Sequence, residues 1–168
     1  CEVNFMGDST RNKQFAHWIY QNFPPKYYPK ILVLADGLGE LSYSLTARAY
    51  KVESYEGKPR LVRRKIGKRS SDFSYHKDYF MGTEDIPDIS LIVGMHPDEA
   101  TDILIQYAKD KSLPFAVVPC CVKSFKVKIK GDDPWLRYLK SIVKFSHEIR
   151  DTRLPIRGKN LLIWGKPK

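Results

Sequence analysis

Cysteine is scarce in this chain of 168 residues, which contains three, two of them adjacent at Cys120 and Cys121. So few cysteines do not form a disulfide framework, and we therefore expect an intracellular protein of the cytoplasm, nucleus or mitochondrion rather than a secreted one. Long apolar runs are also missing, because none approaches the roughly 20 residues that span a bilayer and no N-terminal segment resembles a signal peptide. We therefore expect no membrane partner.

Acidic residues are outnumbered by basic ones. The chain has 29 Lys and Arg against 19 Asp and Glu, a net charge of +10. This excess favours a polyanionic partner, and RNA is the first candidate.

The length suits one domain with a continuous core, so we expect a single domain over residues 1–168, with residues 1–29 as an N-terminal helical extension. The chain begins at Cys1 rather than at a methionine, which leaves room for an upstream segment.

Apolar runs alternate with segments of helical periodicity along the whole chain. Strands are predicted at residues 30–35, 51–56, 89–94, 114–120 and 160–165, with a weaker candidate at 73–80. Helices are predicted at residues 11–23 and 40–49, from the segment MHPDEATD to about residue 109, and at residues 135–149. Asp133 and Pro134 are the cap and first-turn residue of the last helix. This alternation predicts a three-layer α/β sandwich around a mostly parallel sheet, with ligands at the carboxyl ends of the strands.

A glycine-rich turn follows the first strand. Asp36, Gly37 and Gly39 separate the apolar run from the next helix, and glycines let the backbone approach a ligand closely. Glu56 lies about twenty residues further on, the usual distance to the carboxylate that holds a ribose in a nucleotide-binding βαβ unit. Turn and acid together predict a nucleoside-cofactor site, and the alternative is a purely structural turn.

The segment LADGLGELS resembles the first cofactor motif of class I S-adenosylmethionine-dependent methyltransferases, in the form seen in tellurite-resistance-type enzymes. The second half of the chain is similar in layout to tRNA ribose methyltransferase-like families that carry paired cysteines after the fifth strand. This resemblance implies a Rossmann-like class I methyltransferase fold with S-adenosyl-L-methionine as cofactor. The cofactor-binding residues it implies are Ala35, Asp36, Gly37, Leu38, Gly39, Glu56, Gly94 and Met95.

The loop MHPD follows the fourth strand, where many methyltransferases have other acceptor motifs. We expect His96 and Asp98 to be catalytic, because a histidine of near-neutral pKa suits removal of a proton from a hydroxyl or amine. The alternative for His96 is a rigid His-Pro turn. For Cys120 and Cys121, packing at a strand end is expected before a nucleophile or a metal site, and no metal is predicted.

Two basic segments begin at or just beyond the edge of the sheet where the carboxyl ends of the strands lie. Residues 58–69 contain seven Lys or Arg among twelve, and residues 123–130 interleave lysine with apolar side chains. Such segments suit phosphate contacts with RNA, although residues 58–69 could be only a solvated loop. The predicted nucleic-acid contacts are Arg60, Arg63, Arg64, Lys65, Lys68, Arg69, Lys123 and Lys126.

Three functions follow from these patterns. The first is an S-adenosylmethionine-dependent methyltransferase acting on RNA, which charge and cofactor motif both favour. The second is a catalytically inactive methyltransferase-like RNA-binding or structural subunit of a ribonucleoprotein assembly, with other proteins as partners. The third is a small-molecule methyltransferase, which the tellurite-type motif supports and the charge does not.

Overall fold

The structure, a computed structural model, describes residues 8–57 and 72–168. Its strands are β1 (Lys30–Leu34), β2 (Lys51–Tyr55), β3 (Phe73–His76), β4 (Leu91–Met95), β5 (Phe115–Val118), β6 (His147–Arg153) and β7 (Leu161–Pro167). Its helices are α1 (Arg11–Asn22), α2 (Glu40–Thr46), α3 (Thr101–Asp110) and α4 (Asp132–Ile142), and a single 3-10 turn, Asp98–Ala100, precedes α3.

The seven strands form one sheet in the order β3-β2-β1-β4-β5-β7-β6. The first five of these are parallel to one another, and β7 runs antiparallel to both β5 and β6. This confirms the three-layer α/β sandwich with a mostly parallel sheet. The order reverses between β1 and β4, and such a switch point is where ligands bind in open α/β sheets.

Strand β1 is apolar throughout because helices cover both of its faces. Ile31 and Val33 pack into a core with α1 and α2, whereas Leu32 and Leu34 pack into a second core with α3 and α4. A strand buried on both faces has no polar alternation, and the sequence shows the continuous apolar run that this requires.

Helix α1 packs against the sheet through an apolar stripe. Phe15 and Ile19 are fully buried in the core that α1 shares with α2. Pro24 and Pro25 follow its C-cap residue, Phe23, and the sequence predicts that these prolines end the helix. No helix in the described ranges is long and apolar enough to cross a membrane.

The last helix differs from its prediction. Helix α4 ends at Ile142 rather than near residue 149, and Gly131 rather than Asp133 is its N-cap. Strand β6, which the sequence did not predict, begins at His147. It is an edge strand whose residues from Arg150 to Arg153 are exposed, so it lacks the apolar alternation that marks a half-buried strand.

Candidate functional site

A cavity of about 280 Å³ opens at the carboxyl edge of the sheet, where β1, β2 and β4 end. This volume lies near the lower end of the range of about 300–1,000 Å³ for small-molecule pockets. The walls come from the turn after β1, the end of β2, the loop after β3, the end of β4 and the N-terminus of α1. The fold therefore places the cavity at the switch point between β1 and β4.

The turn after β1 is left-handed at three positions. Ala35, Gly37 and Gly39 have φ values of 54°, 59° and 79°. Ala35 is held there because its N–H donates to the Tyr55 carbonyl at 2.8 Å. A Cβ atom built on Gly37 would have no atom within 4 Å, so a ligand can approach the bare backbone at this point.

Glu56 reaches across from the end of β2 to this turn. The Gly37 N–H donates to Glu56 Oε2 at 2.6 Å, and the Tyr75 hydroxyl donates to the Gly37 carbonyl at 3.2 Å. Glu56 is nearly buried, yet it lines the cavity. The structure therefore brings together the turn and the acid that the sequence pairs by spacing.

The Asp36 carboxyl group, at the cavity wall, is held by two serine side chains. Ser42 Oγ and Ser54 Oγ both donate to its Oδ2, the latter at 2.9 Å, while Oδ1 is buried without a hydrogen-bond partner among the described residues. Burial raises the pKa of this carboxyl to about 7, the two serine hydrogen bonds oppose the rise, and the nearby Glu56 charge adds to it. Asp36 thus fastens the turn to α2 and β2.

His96 follows β4 with φ of 50°, which is left-handed for a residue with a side chain. Its N–H donates to the Val118 carbonyl at 2.9 Å, and its Nε2 lies 2.8 Å from the Lys159 carbonyl. A carbonyl oxygen only accepts, so Nε2 carries the hydrogen and Nδ1 is the acceptor of the neutral ring. Burial lowers the pKa of His96, which favours this neutral form.

Asp98 also has a left-handed φ, 49°, and lines the cavity. The Cys120 thiol donates to Asp98 Oδ1 at 3.1 Å. Burial, and then the Asp98 carboxylate, raise the pKa of Cys120 to about 12, so this thiol is protonated at neutral pH and is a poor nucleophile. Asp98, Cys120 and Cys121 place one ligand atom each within 4.8 Å of one another, but Cys121 is disulfide-bonded, so its sulfur is not available as a thiolate ligand.

The remaining predicted site residues are placed unevenly. Leu38 and Met95 line the cavity, whereas Gly39 caps α2 and Gly94 is packed inside β4, where a Cβ atom would come within 3.0 Å of Leu104. Lys123 is half-buried and Lys126 is exposed in the segment after β5. The basic residues of segment 58–69 lie outside the described residues: Arg60, Arg63, Arg64, Lys65, Lys68 and Arg69.

Several cavity residues belong to no cofactor or acceptor motif of the sequence. Arg11 and Asn12 reach the site from the first turn of α1, and the Asn12 side-chain amide lies 3.4 Å from Glu40 Oε2. Tyr79 and Phe125 come from the loops after β3 and β5. None of these positions belongs to a spaced motif, and only the topology of the sheet brings them to one edge.

Comparisons with known proteins show what this architecture is similar to. No protein-family model and no curated protein matches the sequence. Solved methyltransferase structures do share its fold. The 23S rRNA methyltransferase ErmE is 19% identical with a TM-score of 0.63, over 93% of this chain and 68% of that one. The tRNA methyltransferase TrmI of Aquifex aeolicus is 10% identical with a TM-score of 0.59, over 94% and 68%.

A small-molecule enzyme has the same architecture. The 1,6-didemethyltoxoflavin-N1-methyltransferase of Burkholderia thailandensis, whose structure holds S-adenosylhomocysteine, is 10% identical with a TM-score of 0.64, over 96% of this chain and 80% of that one. The chain therefore has the Rossmann-like fold of class I methyltransferases, as its first motif suggests. Because these proteins act on RNA or on small molecules, the fold leaves the acceptor open.

Proposed function

We propose that this protein is an S-adenosylmethionine-dependent methyltransferase that acts on RNA. The contact between Glu56 Oε2 and the Gly37 N–H carries this proposal, because it joins the glycine turn and the acid at nucleotide-binding distance in one cavity wall. The fold of solved methyltransferases, two of them RNA enzymes by name, supports it.

The residues of the cavity fit a nucleoside cofactor. Glu56 offers carboxylate oxygens for the two ribose hydroxyls, and Gly37 offers a backbone that a ligand can touch. Ala35, Leu38 and Met95 complete the wall on either side of the turn. When bound, S-adenosylmethionine supplies an electrophilic methyl group, and the protein supplies alignment.

In this proposal His96 removes the acceptor's proton. The Lys159 carbonyl fixes the hydrogen on Nε2, so Nδ1 is left to accept a proton from a hydroxyl or amine. The lowered pKa keeps the ring neutral at pH 7, as a general base must be. Asp98 lies two residues away on the same cavity wall and adds a carboxylate near the acceptor.

Charge favours RNA over an uncharged small acceptor. The net charge is +10, and residues 119–131, after β5, contain four lysines and no acid. Lys123 and Lys126 lie in this segment, next to a residue of the cavity wall, Phe125. Lysines beside a cofactor cavity suit phosphate contacts that hold a nucleic acid without reading its sequence.

Replacing Glu56 by alanine tests the cofactor site. We expect Glu56→Ala to weaken S-adenosylhomocysteine binding by about 1.5–3 kcal/mol, because the ligand loses its hydrogen bonds to a charged acceptor. Isothermal titration calorimetry measures the change. Glu53→Ala is the matched control: Glu53 lies on β2, three residues before Glu56, but pairs with His76 and Lys30 away from the cavity. Equal affinities in both variants would remove Glu56 from the cofactor site.

Replacing His96 by asparagine tests the catalytic role. If Nδ1 accepts the proton, His96→Asn should slow methyl transfer by about 100- to 10,000-fold while S-adenosylhomocysteine still binds. Transfer of a labelled methyl group to mixed RNA gives the rate. In the unmodified protein the rate should fall as pH drops through the lowered pKa of His96, because protonation occupies Nδ1. A pH profile shared by protein and variant would exclude His96 as the base.

A further inference from the structure

Two aromatic side chains lie exposed at the rim of the cavity. Tyr79, in the loop after β3, is 50% exposed, and Phe125, in the segment after β5, is 68% exposed. Their ring centroids are 6.5 Å apart with an interplanar angle of 85°, an edge-to-face pair. Aromatic surface is more stable when it is removed from water, so an exposed aromatic pair at a ligand cavity indicates a binding surface.

Phe125 is held in this exposed position by its neighbours. Ser124 Oγ donates to Asp102 Oδ2 at 2.6 Å and accepts from the Lys126 N–H at 2.9 Å. Further along, Val127 and Ile129 pack against the core of α3 and α4. Because the segment is anchored on both sides of Phe125, the ring does not need to be fixed when a ligand binds, which lowers the entropic cost of binding.

Tyr79 is equally well supported. A Cβ atom on Gly57 would come within 2.2 Å of the Tyr79 ring, so the ring lies directly against the backbone that follows Glu56. The absence of a side chain at this position is what makes room for it. Tyr79 therefore presents a supported ring beside the cavity, with Phe125 packed against it.

Exposed lysines lie near both aromatic residues in the sequence. Lys126, Lys128 and Lys130 are exposed, whereas the apolar residues that alternate with them are partly buried against the core, so the lysines face solvent. On the other side Lys77 is exposed two residues before Tyr79, with Asp78 as the acidic neighbour. Aromatic rings flanked by lysines suit a strand whose bases stack and whose phosphates meet the lysines.

We infer that the Tyr79–Phe125 pair binds an unpaired base, with one ring stacked on the base and the other packed edge-to-face against that ring, so that the protein binds single-stranded nucleic acid at the mouth of its cofactor cavity. A duplex hides its base faces and offers no ring to such a platform. This inference rests on the proposed function, because it names the form of RNA that would reach the cavity.

Fluorescence anisotropy with a labelled single-stranded RNA of mixed sequence tests the inference. Tyr79→Ala and Phe125→Ala should each weaken binding by about 5- to 150-fold, because either change removes the stacked ring or the ring that supports it. Phe145→Ala is the matched control: Phe145 is 86% exposed but precedes β6, at the opposite edge of the sheet from the cavity. Its affinity should equal that of the unmodified protein.

Salt dependence separates stacking from charge. Stacking releases no counterions, so Phe125→Ala should leave the slope of log affinity against log salt unchanged. Replacing Lys126 and Lys128 together by alanine should flatten that slope by about 0.7 for each phosphate that a lysine no longer neutralises. A slope that changes in the phenylalanine variant and not in the lysine variant would overturn the assignment of both groups.

Three results would overturn the inference. The first is that both aromatic variants fold and bind the single strand as tightly as the unmodified protein. The second is that the same strand annealed to its complement binds with the same affinity as the single strand and loses as much affinity in the variants. The third is that the variants lose at least as much affinity for S-adenosylhomocysteine as for RNA. The third result would assign the pair to the cofactor. An unmodified protein that fails to bind S-adenosylhomocysteine but shows the expected single-strand losses would overturn only the proposed function.

Discussion

Replacing Gly37 by valine should reduce the affinity for S-adenosylhomocysteine by about 100-fold or more and leave a folded protein. The position has φ of 59° and lines the cavity, and a Cβ atom there meets no protein atom, so a valine would add its side chain to the space that the cofactor needs. The left-handed backbone would be strained by a branched residue, which costs on the order of 1–3 kcal/mol of stability. Calorimetry measures the affinity, and thermal unfolding measures the stability.

Gly158→Val is the control that separates strain from obstruction. Gly158 has φ of 79° and likewise no atom within 4 Å of a Cβ position, but it lies in the β6–β7 connection and does not line the cavity. We expect Gly158→Val to lower the melting temperature by a similar amount and to bind S-adenosylhomocysteine as tightly as the unmodified protein. If both valine variants bind S-adenosylhomocysteine like the unmodified protein, the cofactor site is elsewhere.

Replacing Asp36 by asparagine should stabilise the protein above neutral pH. The folded pKa of about 7 exceeds the ordinary 3.8, so the unfolded chain ionises first and stability falls as pH rises from about 4 to 7. Three pKa units correspond to about 4 kcal/mol at full effect. The asparagine side chain carries no charge, so its variant should lack this fall and exceed the unmodified protein in stability above pH 7.

Urea denaturation at a series of pH values gives the two curves whose difference isolates Asp36. Other groups that titrate in this range, His96 among them, are shared by both proteins and cancel. Asp85→Asn serves as control, because the Asp85 side chain is 95% exposed and its removal should leave the pH dependence unchanged. Parallel curves for the asparagine variant at position 36 and the unmodified protein would show that Asp36 is ionised in the folded state throughout.

The sheet was predictable where strands are buried on both faces. β1, β4 and β5 are each buried along almost their whole length, and this requires the apolar runs by which the sequence identifies them. The distance from the glycine turn to Glu56 was predictable too, because a βαβ unit of fixed geometry sets it. Strand β6 was not predictable, because an exposed edge strand is stabilised by its pairing with β7 and has no apolar pattern of its own.

The candidate site was predictable only in its local parts. Asp36 belongs to the cofactor motif, but its carboxyl group bonds to Ser42 and Ser54, six and eighteen residues away, and no spacing rule connects these three. Tyr79 and Phe125 are likewise neighbours only through the sheet. Contacts between loops of distant strands depend on topology, which a single sequence does not state.

The order of strands at the end of the sheet has a consequence for synthesis. β7 lies between β5 and β6, so β6 leaves the ribosome before the strand it pairs with exists. The two therefore join the sheet together, as a hairpin, once β7 has been made. Lys159, whose carbonyl fixes the hydrogen on His96, belongs to that hairpin's connection. A nascent chain can thus form its cofactor turn well before its histidine is set for proton transfer.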